Sequence, residues 1–355
     1  MVTERIYIDR NNIDKKLLER AGKVIREGGL VAFPTETVYG LGGDALNRDS
    51  SAKIYSAKGR PSDNPLIVHI CRYEDIHVIA SDISDMAVKL AEALWPGPMT
   101  MIFNRKSIVP KETTGGLDTV AVRMPGDDVA LGFIRAAGNF IAAPSANSSG
   151  RPSPTSADRV IEDLGGRIDM VIDAGRSDIG LESTIIDMTS DVPMILRPGF
   201  ITGETVERIC GRVAYDPAVF GSENKGVRPR APGMRYRHYA PKGELTVISG
   251  ERDRVRSYII ERTAECRSNN VRTGVMIAED DDEWVERYKS TSDLVINIGS
   301  ALDEDKIAAN LYEALREFDD REIEEIYSEE FNTKRLGQAI MNRLLKAAGH
   351  KVVRL

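Results

Sequence analysis

The sequence predicts a mixed α/β protein in two domains, the second a smaller Rossmann-like domain with a parallel sheet. Three observations carry that reading. At 355 residues the chain is too long for one ordinary domain and comfortable for two. A basic stretch punctuated by proline and glycine, KGVRPRAPGMRYRHYAPKG at 225–243, interrupts both helix and sheet and marks a boundary. Beyond it, strand and helix patterns alternate, as parallel β-α units require. The expected division is a first domain at 1–212, a linker at 213–243 and a second domain at 244–355.

In the first domain, helical stretches at 12–29, 83–95 and 128–138 are interleaved with short strands at 30–37, 65–70, 100–105, 119–125, 140–146, 180–188 and 194–198. In the second, the order is strand ELTVISG, helix 252–268, strand TGVMIAE, helix 281–290, strand DLVINIG, helix 303–318, strand EIEEIYSEE and helix 333–349, before KVVRL. The acidic run EDDDE at 279–283 reads as a helix start, where carboxylates favour the positive end of the macrodipole. No GxGxxG follows any of these strands, so the topology does not imply a nicotinamide or flavin cofactor. A domain of this kind regulates or covers rather than catalyses.

Bulk composition narrows the class. No apolar stretch approaches the roughly 18 residues of a membrane span, and MVTERIYIDRNN has no apolar core of a signal peptide, which makes the cytoplasm the default. Cys71, Cys210 and Cys266 lie far apart, with no CxxC pair and no histidine at ligand spacing; they read as reduced, packed thiols, and no protein metal site is indicated. The net charge is -7, yet the connector carries Lys225, Arg228, Arg230, Arg235, Arg237 and Lys242 with no acid, which demands an explanation.

Several polar groups sit where a ligand can use them. In LVAFPTET, strand alternation places Thr35 and Thr37 on one face and Glu36 on the other. The threonines are either strand formers or, with the glycines of VYGLGG behind them, two hydroxyls facing one ligand. In SAKGRPSDNPLIVHI, Lys58 and Arg60 occupy a glycine- and proline-punctuated loop ending in Asn64, and the following strand delivers His69. Surface cations and a core histidine are one reading; a phosphate or carboxylate site is the other. FIAAPSANSSGRPSPT opens from a strand into a loop that is either flexible or wraps an anion, with Ser145 and Asn147 two apart. Thr119, Arg123, Ser183 and Arg197 punctuate other strands, and each buried arginine wants a protein carboxylate or a ligand. Phosphate-loop, kinase, HExxH and GxSxG motifs are absent, which argues against the common NTPases, kinases and hydrolases.

Taken in order, PTETVYGLG, KGRPSDNPL, PSANSSGRPSPT, STIID and LRPG resemble the threonylcarbamoyl-AMP synthase family of the YrdC type. RYRHYAP, Arg235 to Pro241, resembles the HYxP linker of the longer branch, which joins a YrdC-type catalytic domain to a smaller Rossmann-like one. The resemblance implies a YrdC-like twisted open sheet. It also implies condensation of L-threonine, bicarbonate or carbon dioxide, and ATP into L-threonylcarbamoyl-AMP with release of pyrophosphate. The product goes to a downstream tRNA threonylcarbamoyl transferase complex that modifies the adenosine beside the anticodon.

Carried over by motif, Thr35, Thr37, His69, Arg123, the Ala143 backbone and Ser183 meet threonine. Lys58, Arg60, Asn64, Thr119, Ser145, Ser153, Arg197 and the linker near Tyr236 meet ATP, with Mg2+ accompanying the nucleotide. Lys58, Arg60, Ser145 and Asn147 are the expected catalytic set, and the basic linker is the expected lid. Two other readings compete. An RNA-binding module would use the connector, though the net negative charge limits this to weak, salt-sensitive tRNA contact. A protein carbamoyl transferase would bring acylphosphatase-like or zinc-finger segments, and the sequence shows none.

Overall fold

A computed structural model describes residues 2–220, 230–232, 238–331 and 334–355. The chain forms two compact units, 1–149 with 153–236, and 150–152 with 237–355.

The strands of the first unit are β1 (Glu4–Tyr7), β2 (Val31–Phe33), β3 (Gly40–Asp44), β4 (Ile67–His69), β5 (Ala80–Ser81), β6 (Met99–Arg105), β7 (Thr119–Arg123), β8 (Ile141–Ala143), β9 (Met170–Asp173), β10 (Thr184–Asp187), β11 (Met194–Arg197) and β12 (Ala214–Tyr215). They join in one mixed sheet in the order β1-β9-β2-β3-β8-β4-β7-β6-β10-β11-β12, with β5 beside β6. Its helices are α1 (Lys15–Arg26), α2 (Arg48–Lys58), α3 (Ile76–Ile79), α4 (Asp85–Leu94), α5 (Asp128–Ala137), α6 (Ala157–Leu164) and α7 (Gly203–Cys210). One face of the sheet carries the main core, in which Val68, Val120, Val122 and Ala142 pack with Ile54, Leu90 and Val160 from α2, α4 and α6. On the other face α1 and α5 bury Leu18, Ile25, Val129 and Phe133 against β1, β2, β8 and β9.

Two local expectations change. The strand at 30–37 stops at Phe33, because Pro34 has no N–H for the ladder; residues 36–38 form a bend, and the alternation argument does not apply to them. Lys58 lies in no loop. It ends α2, a helix capped by the Asn47 side chain on Asp49 N–H and closed by Gly59 in the left-handed region at φ 62°. Arg60 follows that turn, its own N–H returning to the Tyr55 carbonyl at 2.9 Å.

The second unit has β13 (Glu244–Ser249), β14 (Thr273–Ile277), β15 (Leu294–Asn297), β16 (Glu325–Glu329) and β17 (Val352–Arg354), all parallel, in the order β15-β14-β16-β13-β17. The terminal KVVRL supplies β17. Its helices are α8 (Arg252–Ser268), α9 (Asp282–Thr291), α10 (Glu304–Asp320) and α11 (Gly337–Ala347). EDDDE does start a helix, with Asp281 capping α9 and Asp282 and Glu283 in its first turn.

In the first unit α1 and α5 meet closely at Gly22, where an added Cβ would stand 2.4 Å from the Ala136 carbonyl carbon. Gly22→Ala should therefore push the helices apart and lower unfolding free energy by about 1–3 kcal/mol, read from urea unfolding.

Candidate active site

Beyond β8, the sheet face that α1 and α5 share is lined by a thin apolar patch, Ile67, Ile102, Ala121, Ile185, Leu196 and Ala231, with polar side chains among it. Residues two apart on a strand share a face, so Thr119 and Arg123 of β7 flank Ala121, and His69 of β4 follows Ile67. Register sets His69 opposite both Arg123 and Ile141, and Ile67 opposite Ala143. The two ends of β7 lie about 13 Å apart at the ordinary rise per residue. That spacing sorts the candidate residues into two groups.

At the carboxyl end of β7, the Arg123 guanidinium stands 2.7 Å from the Glu36 carboxylate, both nearly buried. The contact is an ion pair without hydrogen-bond alignment: Nε and Nη2 of Arg123 have no acceptor among the described residues. The second Glu36 oxygen accepts the Gly126 N–H at 2.9 Å. His69 has its Nδ1 3.1 Å from the Ile67 carbonyl and its ring edge-on to Phe33. Complete burial, with Arg123 close by, pushes its pKa down to about 3, so the imidazole is neutral at physiological pH.

Thr35 and Thr37 do meet, at 2.8 Å between hydroxyls. Thr35 Oγ donates to the Val38 carbonyl and accepts from the Thr37 and Val38 amides. Its proton being spent, the Thr37 hydroxyl donates to Thr35 and keeps its own lone pairs. Thr35 thus holds the turn and Thr37 presents it. Ser183, just before β10, shares a 2.7 Å hydrogen bond with Thr100, whose register partner is Arg123. Arg197 donates to the Ser183 carbonyl, to its hydroxyl and to the Pro232 carbonyl. Backbone carbonyls are thus among the partners of this arginine. Ser153 donates to Glu182, next to Ser183, at 2.6 Å.

At the amino ends of β4 and β7, the buried Lys58 ammonium donates to the Ser145 carbonyl at 2.5 Å and to the Asn147 carbonyl. Ser145 Oγ donates to Asn147 Oδ1, and the Ser149 N–H returns to the Lys58 carbonyl at 2.9 Å. The lysine thereby closes the loop on α2. Arg60 donates to the Asn64 and Pro65 carbonyls, and Asn64 Oδ1 is buried with no partner among the described residues. Thr119 is half-buried at the start of β7.

Within the connector, Arg230 spends its charge on Asp187 and Asp216, at 2.8 and 2.7 Å. Lys225, Arg228, Arg235, Tyr236 and Arg237 lie outside the described residues. Among the described residues no three His, Cys, Asp or Glu side chains group as a metal cage, and no helix is long and apolar enough to cross a membrane.

Sequence reasoning passed over Glu36, Thr100, Glu182 and Tyr39. Tyr39 is fully buried, donates to the Gly175 carbonyl, and ties its strand to the loop through Ala146 N–H. The signal for Glu36 was present: a buried arginine needs a carboxylate, and the acid of PTET is one, but the strand reading had turned it away.

The segment 23–199 matches the family model described as "Telomere recombination", and 201–349 that of "Threonylcarbamoyl-AMP synthase, C-terminal domain". The chain is similar to the threonylcarbamoyl-AMP synthase of Pyrococcus abyssi, 45% identical over 346 residues covering 98% of each chain. It is likewise similar to that of Bacillus subtilis, 42% identical over the whole of both. Among solved structures, P. abyssi Sua5 complexed with L-threonine superposes with a TM-score of 0.92 at 43% identity, covering all of both chains.

His69 gives a linkage test. Its folded pKa lies below the unfolded value of about 6.5, so its contribution to stability is complete above that pH and drains away as pH falls toward 3. Urea unfolding from about pH 7 to about pH 4.5 should cost the wild type on the order of a few kcal/mol more than His69→Gln. Equal losses in the two proteins would show that burial does not hold the imidazole neutral.

Proposed function

The chain belongs to the threonylcarbamoyl-AMP synthase family, and we propose that its first unit condenses L-threonine, carbon dioxide from bicarbonate, and ATP into L-threonylcarbamoyladenylate and pyrophosphate. The observation that supports this most directly is Arg123, a buried guanidinium paired with Glu36 whose Nε and Nη2 make no aligned hydrogen bond among the described residues. A substrate carboxylate supplies the missing oxygens bidentately, at the end of the face that also presents Thr37, Ser183 and a neutral His69. The Ala143 backbone, opposite Ile67 at the amino end of β4, completes our assignment of the threonine side.

The chemistry needs placement more than covalent help. The neutral threonine amine attacks carbon dioxide and loses a proton to give a carbamate. A carbamate oxygen then attacks the α-phosphorus of ATP, and the bond from that phosphorus to the α,β-bridging oxygen breaks, so that the β- and γ-phosphates leave together as pyrophosphate. Negative charge gathers at the phosphates, and we assign Lys58, which bonds the loop after β8, and Arg60, just beyond the same helix, to offset it. Asn64, Thr119, Ser145, Ser153 and Arg197, with Tyr236, complete our assignment of the nucleotide side; Ser145 and Asn147 orient the loop. Thr35 acts through Thr37. Among the described residues no carboxylates group as a magnesium cage, and our reading gives Mg2+ to the triphosphate with its waters, as such ions are commonly bound. No step is assigned to it.

We further place the reaction in the cytoplasm, where the labile adenylate passes to a tRNA threonylcarbamoyl transferase complex, with at most weak tRNA contact through the connector.

Pyrophosphate release should require both L-threonine and bicarbonate, with threonylcarbamoyladenylate seen by mass spectrometry. Lys58→Ala, still folded, should lose about 10²- to 10³-fold in kcat/KM, the cost of removing one preorganised charge-stabilising donor. Release that ignores threonine would overturn the reaction, and undiminished turnover in Lys58→Ala would remove that residue from it.

A further inference from the structure

The second sheet reverses its winding between β13 and β16. From β13 the chain crosses to β14 in one direction, and from β16 it crosses to β17 in the other. Right-handed crossovers put α8 and α9 on one face and α10 and α11 on the opposite one. Such a reversal opens a crevice at the carboxyl ends of the two strands, the place where open parallel sheets bind ligands.

A cavity of about 420 Å³ lies there, walled by the turn after β13 at Gly250 and Arg252, by Glu330 and Phe331 after β16, and by Glu304 on α10. That volume falls in the range of roughly 300–1,000 Å³ typical of small-molecule sites. We propose that this cavity binds a small aliphatic amine as its cation, in a site separate from the condensation chemistry.

Charge selects the class. Three carboxylates, Glu304, Glu329 and Glu330, line the cavity; of the nearby guanidiniums, Arg252 already donates to Glu279 at 3.0 Å and Arg335 pairs with Glu304 at 3.2 Å, and the lining keeps an excess of acid. Each carboxylate is fixed by the protein: Glu304 accepts the Leu336 N–H, Glu329 the Ala278 N–H and Glu330 the Ser249 hydroxyl. The helix starts beside the cavity already hold carboxylates of their own. The first amides of α8 are held by Glu251, and the Lys306 N–H of α10 by Asp303. A nucleotide phosphate, the usual guest of such a crevice, is thereby disfavoured. Ile248, Val255, Ile307 and Ile340 give methylenes an apolar wall. Burial pushes the Glu329 carboxyl up, with Glu279 adding to the effect against the Ala278 amide, Arg252 and Arg256. An ammonium beside it supplies missing counter-charge.

Isothermal titration of the full chain with spermidine and with putrescine should show saturable binding. Glu329→Gln, which keeps an acceptor for Ala278, and Glu330→Arg, an exposed position, should each weaken it by about ten- to a hundredfold. Pyrophosphate release should be unchanged in both variants. The proposal is overturned by no saturable binding of either amine, by binding kept in both variants, or by amine displaced when ATP and threonine are added.

Discussion

Much of the first unit follows from burying a guanidinium on an open sheet face. Arg123 sits in mid-sheet, where a lone charge is unaffordable, and Glu36 answers it from outside the strand ladder. To reach it, the chain must leave β2 at Pro34 and fold back in a bend. Thr35 makes that bend by satisfying two amides and a carbonyl with one hydroxyl. Breaking the pair by truncating either partner would leave the other buried alone, at a cost of about 3–5 kcal/mol. The incomplete alignment of the pair is equally informative. A guanidinium fully satisfied by Glu36 would have nothing left for a substrate, whereas this one keeps donors in reserve.

Lys58 plays the corresponding part at the other end of the face. An ammonium on the last residue of a helix favours carbonyl partners, and the loop after β8 supplies them from Ser145 and Asn147. The cation thus organises the loop through two of its backbone carbonyls. Incoming phosphate oxygens would compete for it from a better position. Structural and chemical roles coincide because one group serves both, so a variant at Lys58 must be shown to fold before its kinetics are read.

The sequence disclosed the second unit more fully than the first. Its strands alternate with helices at regular spacing, and parallel topology follows from that alone; only β17 was left unassigned, because three residues at a chain end carry too little pattern. In the first unit, α2 went unread because RDSSAKIYSAK buries Ser50, Ser51 and Lys58 beside Ile54, Tyr55 and Ala57, and so mixed a buried face shows little apolar period. The candidate residues were named individually. What the sequence did not reveal was their sorting to the two ends of β7, since that depends on β8 running antiparallel to β4 while β7 runs parallel. Arg230 was legible as a charge but not as a partner, because Asp187 and Asp216 lie far from it along the chain.

The missing GxGxxG and the acidic crevice in the second unit have a common physical root. A glycine-rich turn lets backbone amides approach phosphate, and the helix dipole then favours the anion. Here the turn after β13 reads SGERD, and Glu251 places its own carboxylate where that anion would lie. Once the helix end is occupied from within, the crevice keeps its shape but loses its preference for negative charge. The glutamates after β16 and at the start of α10 then set its sign. The fold retains the geometry of a nucleotide-binding sheet while its side chains select a ligand of opposite charge.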